Sequence, residues 1–250
     1  LGSLSQMCGI FAVILSDASL RKSRKYYLSL AMKQLHRGPD QLSCLELISH
    51  HMYCILIFHR LAIMDVDGGQ QPFQTPNGLH CIANGEIYNA NLLRSLHKLP
   101  TTSQSDCEVI PYLYEKMGTS SVSLLDGCFA FIIIDIQKEE LLVARDHIGI
   151  IPLYYAQIPS GFVFSSEVKC LSPFENTHFF PPRQMLHYVN NKGSWTEWYK
   201  TPWNVVVTQP AKDNWFPLCQ ELFCKATKKR LQCDVPFACL LSGGFDSSLV

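Results

Sequence analysis

The sequence predicts an α+β fold, two packed sheets with helices outside them, followed by the beginning of a parallel α/β unit. Short apolar strands follow one another from residue 8 to about residue 199, and few helical patterns interrupt them. Hydrophobic residues make up 47% of the chain and charged residues 17%, which is enough apolar surface for a large core. Near the C-terminal end, an apolar run, a glycine-serine loop and the start of a helix follow in the order typical of a parallel α/β sheet.

The composition argues against several classes of protein. The 250 residues carry a net charge of +0 and no basic run stands out, so neither nucleic acid nor an anionic membrane is favoured as a partner. The longest apolar runs, such as Cys128 to Ile134, are far shorter than the roughly 20 residues that span a bilayer. Eleven unevenly spaced cysteines without a CxxC pair favour neither a disulfide scaffold nor a zinc site, and they predict reduced thiols in a cytoplasmic protein.

The first half of the chain predicts strands around one amphipathic helix. Apolar side chains recur at i, i+3, i+4 and i+7, which is one face of a helix, at Leu28, Ala31, Met32 and Leu35. Gly38-Pro39 ends that helix. Strands are expected at Gly9–Leu15, Met52–Phe58, Ala62–Asp65 and His80–Asn84.

The next segment predicts a second helix and a hairpin. Ser105, with Glu108 three residues later, indicates a capping box for a helix that runs through Met117. Pro111 lies past the first turn of that helix and should kink it. Three further strands are expected, the first two as a hairpin, at Cys128–Ile136, Glu140–Arg145 and Gly161–Ser166.

The composition changes near Thr201, and this change predicts the domain boundaries. Residues 201–213 contain two prolines and no periodicity, so we interpret them as a linker between a domain at 8–200 and the start of another at 214–250. The second domain should begin with an amphipathic helix that ends in the basic cluster 228–230, followed by a short buried strand at Pro236–Leu241. Residues 1–7 begin with Leu1 and the chain stops at Val250, so we expect a fragment with a short spurious leader.

Cys8 is the first candidate for chemistry. It follows Met7, and its small side chain would allow an initiator methionine to be removed. An N-terminal cysteine carries an α-amine beside its thiol, and that amine can act as the general base. Attack of the thiolate on a carboxamide would give a thioester and release ammonia. Taken alone, Cys8 fits a buried structural cysteine better than a nucleophile.

Seven further motifs occur in a fixed order along the chain. They are His36-Arg37-Gly38-Pro39-Asp40, His59-Arg60-Leu61-Ala62-Ile63-Met64-Asp65, Gly69-Gln70-Gln71-Pro72, Asn84-Gly85-Glu86-Ile87-Tyr88-Asn89, Ser105-Asp106-Cys107-Glu108, Leu125-Asp126-Gly127-Cys128-Phe129-Ala130-Phe131 and Ala144-Arg145-Asp146. Together with Cys8 they closely resemble the class II, N-terminal-nucleophile glutamine amidotransferases. With the loop at Ser242, the resemblance extends to the glutamine-dependent asparagine synthetases over residues 7–250. It implies a four-layer αββα N-terminal-nucleophile sandwich.

The resemblance also implies a glutamine pocket. Arg60 would grip the α-carboxylate with its bidentate fork, and Asp106 would face the α-ammonium. The side-chain amide of Asn84 and the N–H of Gly85 would form the oxyanion hole that serves Cys8. The remaining contacts would come from Leu61, Ala62, Ile63, Met64 and Glu86.

Simpler interpretations exist for these residues in isolation. Arg60 alone would be an exposed salt-bridge residue, and Asn84-Gly85 alone would be a hairpin turn. Arg37 and Asp40 are expected to hold their loop rather than to take part in chemistry. Ile151 stands where the family usually has a basic residue, so the loop at 149–153 departs from the pattern, although we place it outside the glutamine pocket.

The loop at Ser242 differs from the Walker sequence, which requires Gly-Lys-Ser/Thr. It resembles the SGGxDS loop of ATP pyrophosphatases, in which N–H groups and hydroxyls at the start of a helix bind pyrophosphate. The resemblance implies that Leu240 contacts adenine and that Asp246 binds Mg²⁺. The implied ATP-binding set is Leu240, Ser242, Gly243, Gly244, Asp246 and Ser247.

These patterns favour one reaction and leave two alternatives open. The resemblance implies a cytoplasmic ligase that uses glutamine, aspartate and Mg-ATP to make asparagine, glutamate, AMP and pyrophosphate, without a prosthetic group. The aspartate site would lie beyond Val250, and a homodimer is an open expectation. One alternative is another class II amidotransferase. The other is a non-catalytic glutamine-binding or interaction module, which would follow if the leader stays attached to Cys8.

Overall fold

Two antiparallel sheets of six strands each dominate the residues that the computed structural model describes, which are 7–189, 192–201 and 215–249. In spatial order, the first sheet contains β10 (Thr177–Phe179), β8 (Tyr154–Ile158), β9 (Gly161–Ser165), β1 (Gly9–Leu15), β3 (Tyr53–Arg60) and β2 (Gln41–Ile48). The second contains β12 (Lys192–Glu197), β11 (Gln184–Val189), β7 (Glu140–Arg145), β6 (Gly127–Asp135), β5 (Leu79–Ile87) and β4 (Phe73–Gln74). Residues 1–6 of the predicted leader and nearly all of the predicted linker lie outside the described residues.

Helices are short in the first of the two units into which the chain divides at Lys200. The α-helices of this unit are α1 (Arg24–Ala31), α2 (Ala90–His97) and α3 (Val109–Met117). Its 3₁₀ helices are Ala18–Leu20, Met32–Arg37, Asp106–Glu108, Gly118–Leu124 and Val168–Leu171. The described part of the second unit contains α4 (Trp215–Lys229) and α5 (Phe245–Leu249). None of the described helices has the length and apolarity needed to cross a membrane.

The first unit has four layers because its central strands bury both faces. Along β1, Ile10 and Ile14 pack between the two sheets, whereas Phe11 and Val13 pack beneath α1. The second sheet repeats this arrangement, with one face in the same central core and the other beneath α2 and α3. Each large apolar side chain buried in this way contributes about 1.5–3 kcal/mol, which explains the continuous apolar runs of these strands. The αββα sandwich predicted from the sequence is therefore confirmed.

Several predicted elements are present with small changes in their ends. The strand Gly9–Leu15 has the predicted bounds, and the hairpin is formed by β6 and β7. The predicted strands at 52–58 and 80–84 are longer in the structure, and β9 ends one residue earlier than predicted. Strands that the sequence did not predict lie mostly toward the sheet edges, where half-exposed side chains weaken the apolar pattern. They are β2, β4, β8, β10, β11 and β12.

The predicted buried face of the first helix is partly wrong. The helix ends before Gly38 as expected, but Met32 and Leu35 are 41% and 39% exposed. Gln34 and Leu30 are buried in their place. The cause is a change from α-helix to 3₁₀-helix at Met32, because three residues per turn rotate the following side chains away from the α-helical face.

Three local predictions between residues 62 and 117 are also wrong. Residues 62–65 form a loop rather than a strand, and Asp65 adopts a left-handed conformation with φ 49°. Ser105 makes no side-chain capping bond, and the carboxylate of Glu108 instead accepts four hydrogen bonds from the N–H and hydroxyl groups of Thr102 and Ser103. The α-helical part begins only at Val109, so Pro111 falls in its first turn, where an N–H has no partner within the helix and no kink is required.

The second unit contains the predicted amphipathic helix, α4, which ends at Lys229. The strand predicted at Pro236–Leu241 is absent, and Phe237 and Leu240 are 60% and 74% exposed. A strand needs a neighbour that pairs with its N–H and C=O groups, and the described residues of this unit contain none.

Candidate active site

Most of the predicted pocket residues line one cavity of about 240 Å³ at an end of the sandwich. Cys8 directly precedes β1, Arg60 is the last residue of β3, and Asp106 begins a 3₁₀ helix after α2. The fold therefore brings together side chains that lie far apart in the sequence. The predicted residues around the cavity are Cys8, Arg60, Leu61, Ile63, Met64, Asn84, Gly85, Glu86 and Asp106.

The thiol of Cys8 is held against the loop that follows β3. Its Sγ accepts a hydrogen bond from the N–H of Leu61 at 3.3 Å. Burial raises the pKa of the Cys8 thiol, although the Leu61 N–H and the positive charge of Arg60 act in the opposite direction. The thiol therefore stays protonated at neutral pH in this environment and needs a base before it can attack.

Arg37 and Asp40 hold the backbone around this thiol, as the sequence predicted. The Nε of Arg37 donates to the carbonyl oxygen of Cys8 at 3.0 Å, and its Nη1 pairs with Glu167 at 3.4 Å. Asp40 accepts from the N–H of Ala62 at 2.8 Å through Oδ2. Ala62 is absent from the cavity lining, so the structure places this predicted contact residue outside the pocket.

Asn84 presents a buried amide to the cavity. Asn84 is only 2% exposed, and its Nδ2 has no hydrogen-bond partner among the described residues. An unpaired buried donor costs stability, so its presence in the cavity wall indicates a bound group that will receive its hydrogen bond. Gly85 follows with φ 136°, and a Cβ there would lie 2.0 Å from the carbonyl oxygen of Cys128. Only glycine fits at this point of contact between β5 and β6.

Arg60 organises the loop beside it while it lines the cavity. Its guanidinium donates to three successive carbonyl oxygens, those of Met64 at 3.3 Å, Asp65 at 2.5 Å and Val66 at 3.3 Å. The residue is 7% exposed. These bonds hold a planar, permanently charged donor at the cavity wall.

Asp106 is one of two acidic residues in the cavity wall, and Glu86 is the other. The Oδ2 of Asp106 accepts the N–H of Ile87 at 2.6 Å. Burial raises the pKa of the Asp106 carboxyl, while the Ile87 N–H and the charge of Arg94 oppose that rise. A cation that entered the cavity would therefore be stabilised by this carboxylate and would favour its ionised form.

The cavity also contains residues to which the sequence assigned no role. Gln71 pairs with β5 like a neighbouring strand, since its Oε1 accepts the N–H of Ala83 at 2.7 Å and its Nε2 donates to the Ala83 carbonyl at 3.0 Å. Tyr88 Oη contacts Cys128 Sγ at 3.3 Å. Gln71, Tyr88 and Cys128 all belong to motifs noted in the sequence, but nothing in a motif indicates which way a side chain points.

Ile151 corrects one prediction, because it lines the same cavity together with Ile150. The side chain of Ile151 is 2% exposed and belongs to the central core. The buried Asp146 carboxylate shapes its loop by accepting the N–H groups of Ile148, Gly149, Ile150 and Ile151 at 2.6–3.1 Å. An apolar residue at 151 therefore fits the site as built.

The sequence profile of the glutamine amidotransferase domain matches residues 7–208. The chain belongs to the glutamine amidotransferase family. A second profile, that of asparagine synthase, matches residues 218–250 of this amidotransferase chain. The cavity around Cys8 lies wholly within the first match.

Curated relatives confirm the resemblance predicted from the sequence. An asparagine synthetase [glutamine-hydrolyzing] of Sandersonia aurantiaca is 41% identical over 98% of the amidotransferase chain and 46% of its own length. Asparagine synthetase 2 of Oryza sativa subsp. japonica and asparagine synthetase 3 of Arabidopsis thaliana are each 42% identical over 98% of this chain, and 41% and 42% of their lengths are covered. The chain thus spans less than half the length of these relatives.

Solved structures of low sequence identity support the fold alone. The glutamine phosphoribosylpyrophosphate amidotransferase from B. subtilis, complexed with ADP and GMP, is 20% identical with a TM-score of 0.59. A structure described as the allosteric regulatory enzyme of purine biosynthesis is 21% identical with a TM-score of 0.60. Each covers 78% of the amidotransferase chain and 50% of the other chain.

Proposed function

We propose that Cys8 hydrolyses glutamine and that the ammonia released is used by a longer protein to convert aspartate to asparagine at the expense of ATP. The observation that carries this proposal is one cavity that combines a thiol, a buried amide donor without a partner, a guanidinium and a carboxylate. Glutamine offers a complement to each of these groups. The 41–42% identity to asparagine synthetases supports the choice of aspartate as acceptor.

The chemistry follows from the groups at the cavity wall. The α-amine of a chain that begins at Cys8 takes the thiol proton, and Sγ attacks the amide carbon of glutamine. Asn84 Nδ2 and the N–H of Gly85 stabilise the resulting oxyanion. The proton passes to the amide nitrogen, the C–N bond breaks, and ammonia leaves. Water then cleaves the thioester to give glutamate and restore the thiol.

Recognition of the α-amino-acid end of the substrate uses two of the charged groups in the cavity, Arg60 and Asp106. Arg60 receives the α-carboxylate, and its bonds to loop carbonyls keep the guanidinium in place before glutamine arrives. Asp106 receives the α-ammonium. Both charges sit in a partly buried site, where their interaction with substrate is stronger than in water.

The second half of the reaction is assigned to the loop at 242–248. The hydroxyls of Ser242 and Ser247 are 2.8 Å apart, and Gly243 has φ 78° with no atom within 4 Å of a Cβ built there, so the loop is open to a ligand. These groups fit the pyrophosphate of ATP. Leu240, Gly244 and the exposed Asp246 complete the proposed set, and Asp246 would hold Mg²⁺, which neutralises phosphate charge.

Compartment and assembly belong to the same proposal. All eleven cysteines are free, which fits a reducing cytoplasm. The homodimer stays a prediction that sedimentation of the longer protein tests. The match of residues 218–250 to asparagine synthase argues against the alternative that the chain is a class II amidotransferase with a different acceptor.

The decisive experiment determines the N-terminus and the activity together. Mass spectrometry of the native protein should give a chain that begins at Cys8. A chain that begins at Cys8 should release ammonia from glutamine. A chain that retains residues 1–7, prepared in parallel, should not. Hydrolysis by neither chain would contradict the proposal, and tight glutamine binding without hydrolysis would favour the non-catalytic module. We also expect residues 8–250 to form no aspartate-dependent pyrophosphate.

Substitution of Arg60 by lysine tests the carboxylate clamp. Lysine keeps the charge but loses the planar fork, so we expect a loss of about 1.5–3 kcal/mol, which is about ten- to a hundredfold in KM for glutamine. Arg24→Lys is the control, because Arg24 is exposed on α1 and donates to Cys44 O at 3.3 Å outside the cavity. An unchanged KM in Arg60→Lys would show that Arg60 does not bind the carboxylate.

A further inference from the structure

Asp65 is the point at which three parts of the glutamine pocket meet. Its carbonyl oxygen accepts from Arg60 Nη2 at 2.5 Å. Its Oδ1 accepts the N–H of Gly68 at 3.1 Å, and its Oδ2 accepts the N–H of Gln104 at 2.8 Å. One carboxylate therefore closes the loop at 61–69 and ties it to the segment that leads to Asp106.

We propose that Asp65 is a positioning residue that sets the separation between Arg60 and Asp106, and with it the recognition of the α-amino-acid end of glutamine. Arg60 ends β3 in the first sheet, whereas Asp106 begins a 3₁₀ helix outside both sheets, and the two residues are 46 positions apart in the sequence. The Asp65 carboxylate links the loop that Arg60 holds to Gln104, two residues before Asp106. This inference rests on the function proposed above and adds a specificity-determining residue to it.

The glycines that follow support this arrangement independently. A Cβ at Gly68 would lie 2.5 Å from Asp65 Oδ2 and 2.7 Å from Oδ1. At Gly69, a Cβ would lie 3.0 Å from Ser105 Cβ and 3.2 Å from Arg60 Nη2. The loop is therefore packed closely around the carboxylate on one side, and against the Ser105 segment and the guanidinium on the other.

The left-handed backbone conformation of Asp65 also supports its role as a positioning residue. A non-glycine residue with φ 49° is uncommon, and its cost is offset only when the surroundings hold it. Here that conformation lets the carbonyl and the carboxylate of one residue serve Arg60 and the two loops at the same time.

The test replaces Asp65 by asparagine in a chain that begins at Cys8. The amide keeps one acceptor oxygen but turns an NH₂ group toward either the Gly68 or the Gln104 N–H, so one bridge is lost. Since small displacements of binding groups are costly, we expect KM for glutamine to rise about ten- to a hundredfold, with kcat changed less than about threefold. Asp67→Asn is the matched control, because Asp67 is an exposed carboxylate in the same loop, and its KM should match that of the wild type.

Further measurements separate positioning from general destabilisation. The double variant Asp65→Asn/Arg60→Lys should raise KM by less than the product of the single effects, because Asp65 acts through Arg60. Gly68→Ala keeps the negative charge of Asp65 but forces its carboxylate to shift, so it should reproduce the rise in KM even if Asp65→Asn fails to fold. Two results would overturn this inference. One is a rise in KM of the double variant that equals the product of the single rises, and the other is a normal KM in a folded Asp65→Asn or Gly68→Ala variant. In both cases, hydrolysis by the wild-type chain would still support the proposed function. A wild-type chain without hydrolysis would overturn both.

Discussion

Replacement of Cys8 by alanine is expected to abolish glutamine hydrolysis in a chain that begins at residue 8. The thiol is the only nucleophile that the proposal uses, and loss of a nucleophile costs on the order of 10⁴-fold or more in kcat. In the longer protein proposed above, the same variant should still make asparagine from added ammonia, because Cys8 and the loop proposed to bind ATP lie in separate units. The measurements are ammonia release from glutamine and ammonia-dependent asparagine formation.

The control for this variant is Cys44→Ala. Cys44 is also free and partly buried, but it lies on β2 outside the cavity, so its variant should hydrolyse glutamine normally. Cys8→Ala removes two weak contacts, one with the N–H and one with the carbonyl oxygen of Leu61, so the melting temperature should change little. Loss of both activities in a well-folded Cys8→Ala protein would refute the assignment of separate sites.

Replacement of Asn84 by alanine is expected to lower kcat by about 10²–10³-fold, the usual cost of losing one oxyanion-hole donor. KM should change much less, because the donor serves the transition state. Nδ2 has no partner among the described residues of the free protein, so its removal breaks no bond of the folded state and should leave the free energy of unfolding nearly unchanged. Steady-state kinetics and thermal denaturation measure the two effects.

Asn89→Ala should show the opposite pattern. Its Nδ2 donates to Leu124 O at 2.9 Å and its Oδ1 accepts the Asp126 N–H at 3.0 Å, and it does not line the cavity. Removal of these bonds should lower stability by about 1–3 kcal/mol and leave kcat near the wild-type value. If Asn84→Ala were destabilised and kept its kcat, Asn84 would be a structural residue and the oxyanion donor would have to be sought elsewhere.

Some elements of this fold follow from local sequence patterns, whereas others depend on contacts between distant segments. The central strands β1, β3, β5 and β6 could be predicted because continuous apolar runs are properties of a short segment. The buried face of the first helix could not, because the switch to 3₁₀ geometry at Met32 is not contained in the spacing of its apolar residues. Glu108 fits the capping-box pattern, yet its carboxylate takes its hydrogen bonds from Thr102 and Ser103.

The sequence by itself led to the chemistry proposed for Cys8 and to the layered class of the fold. An α-amine lies beside the thiol of any N-terminal cysteine because the two groups belong to one residue, and the burial of a strand follows from its own apolar side chains. Only the tertiary structure decided that Ile151 lines the cavity, that Ala62 does not, and that Asp65 bridges two loops. Each of these depends on strand register and on hydrogen bonds between segments tens of residues apart, and no pattern within one segment specifies where such partners meet.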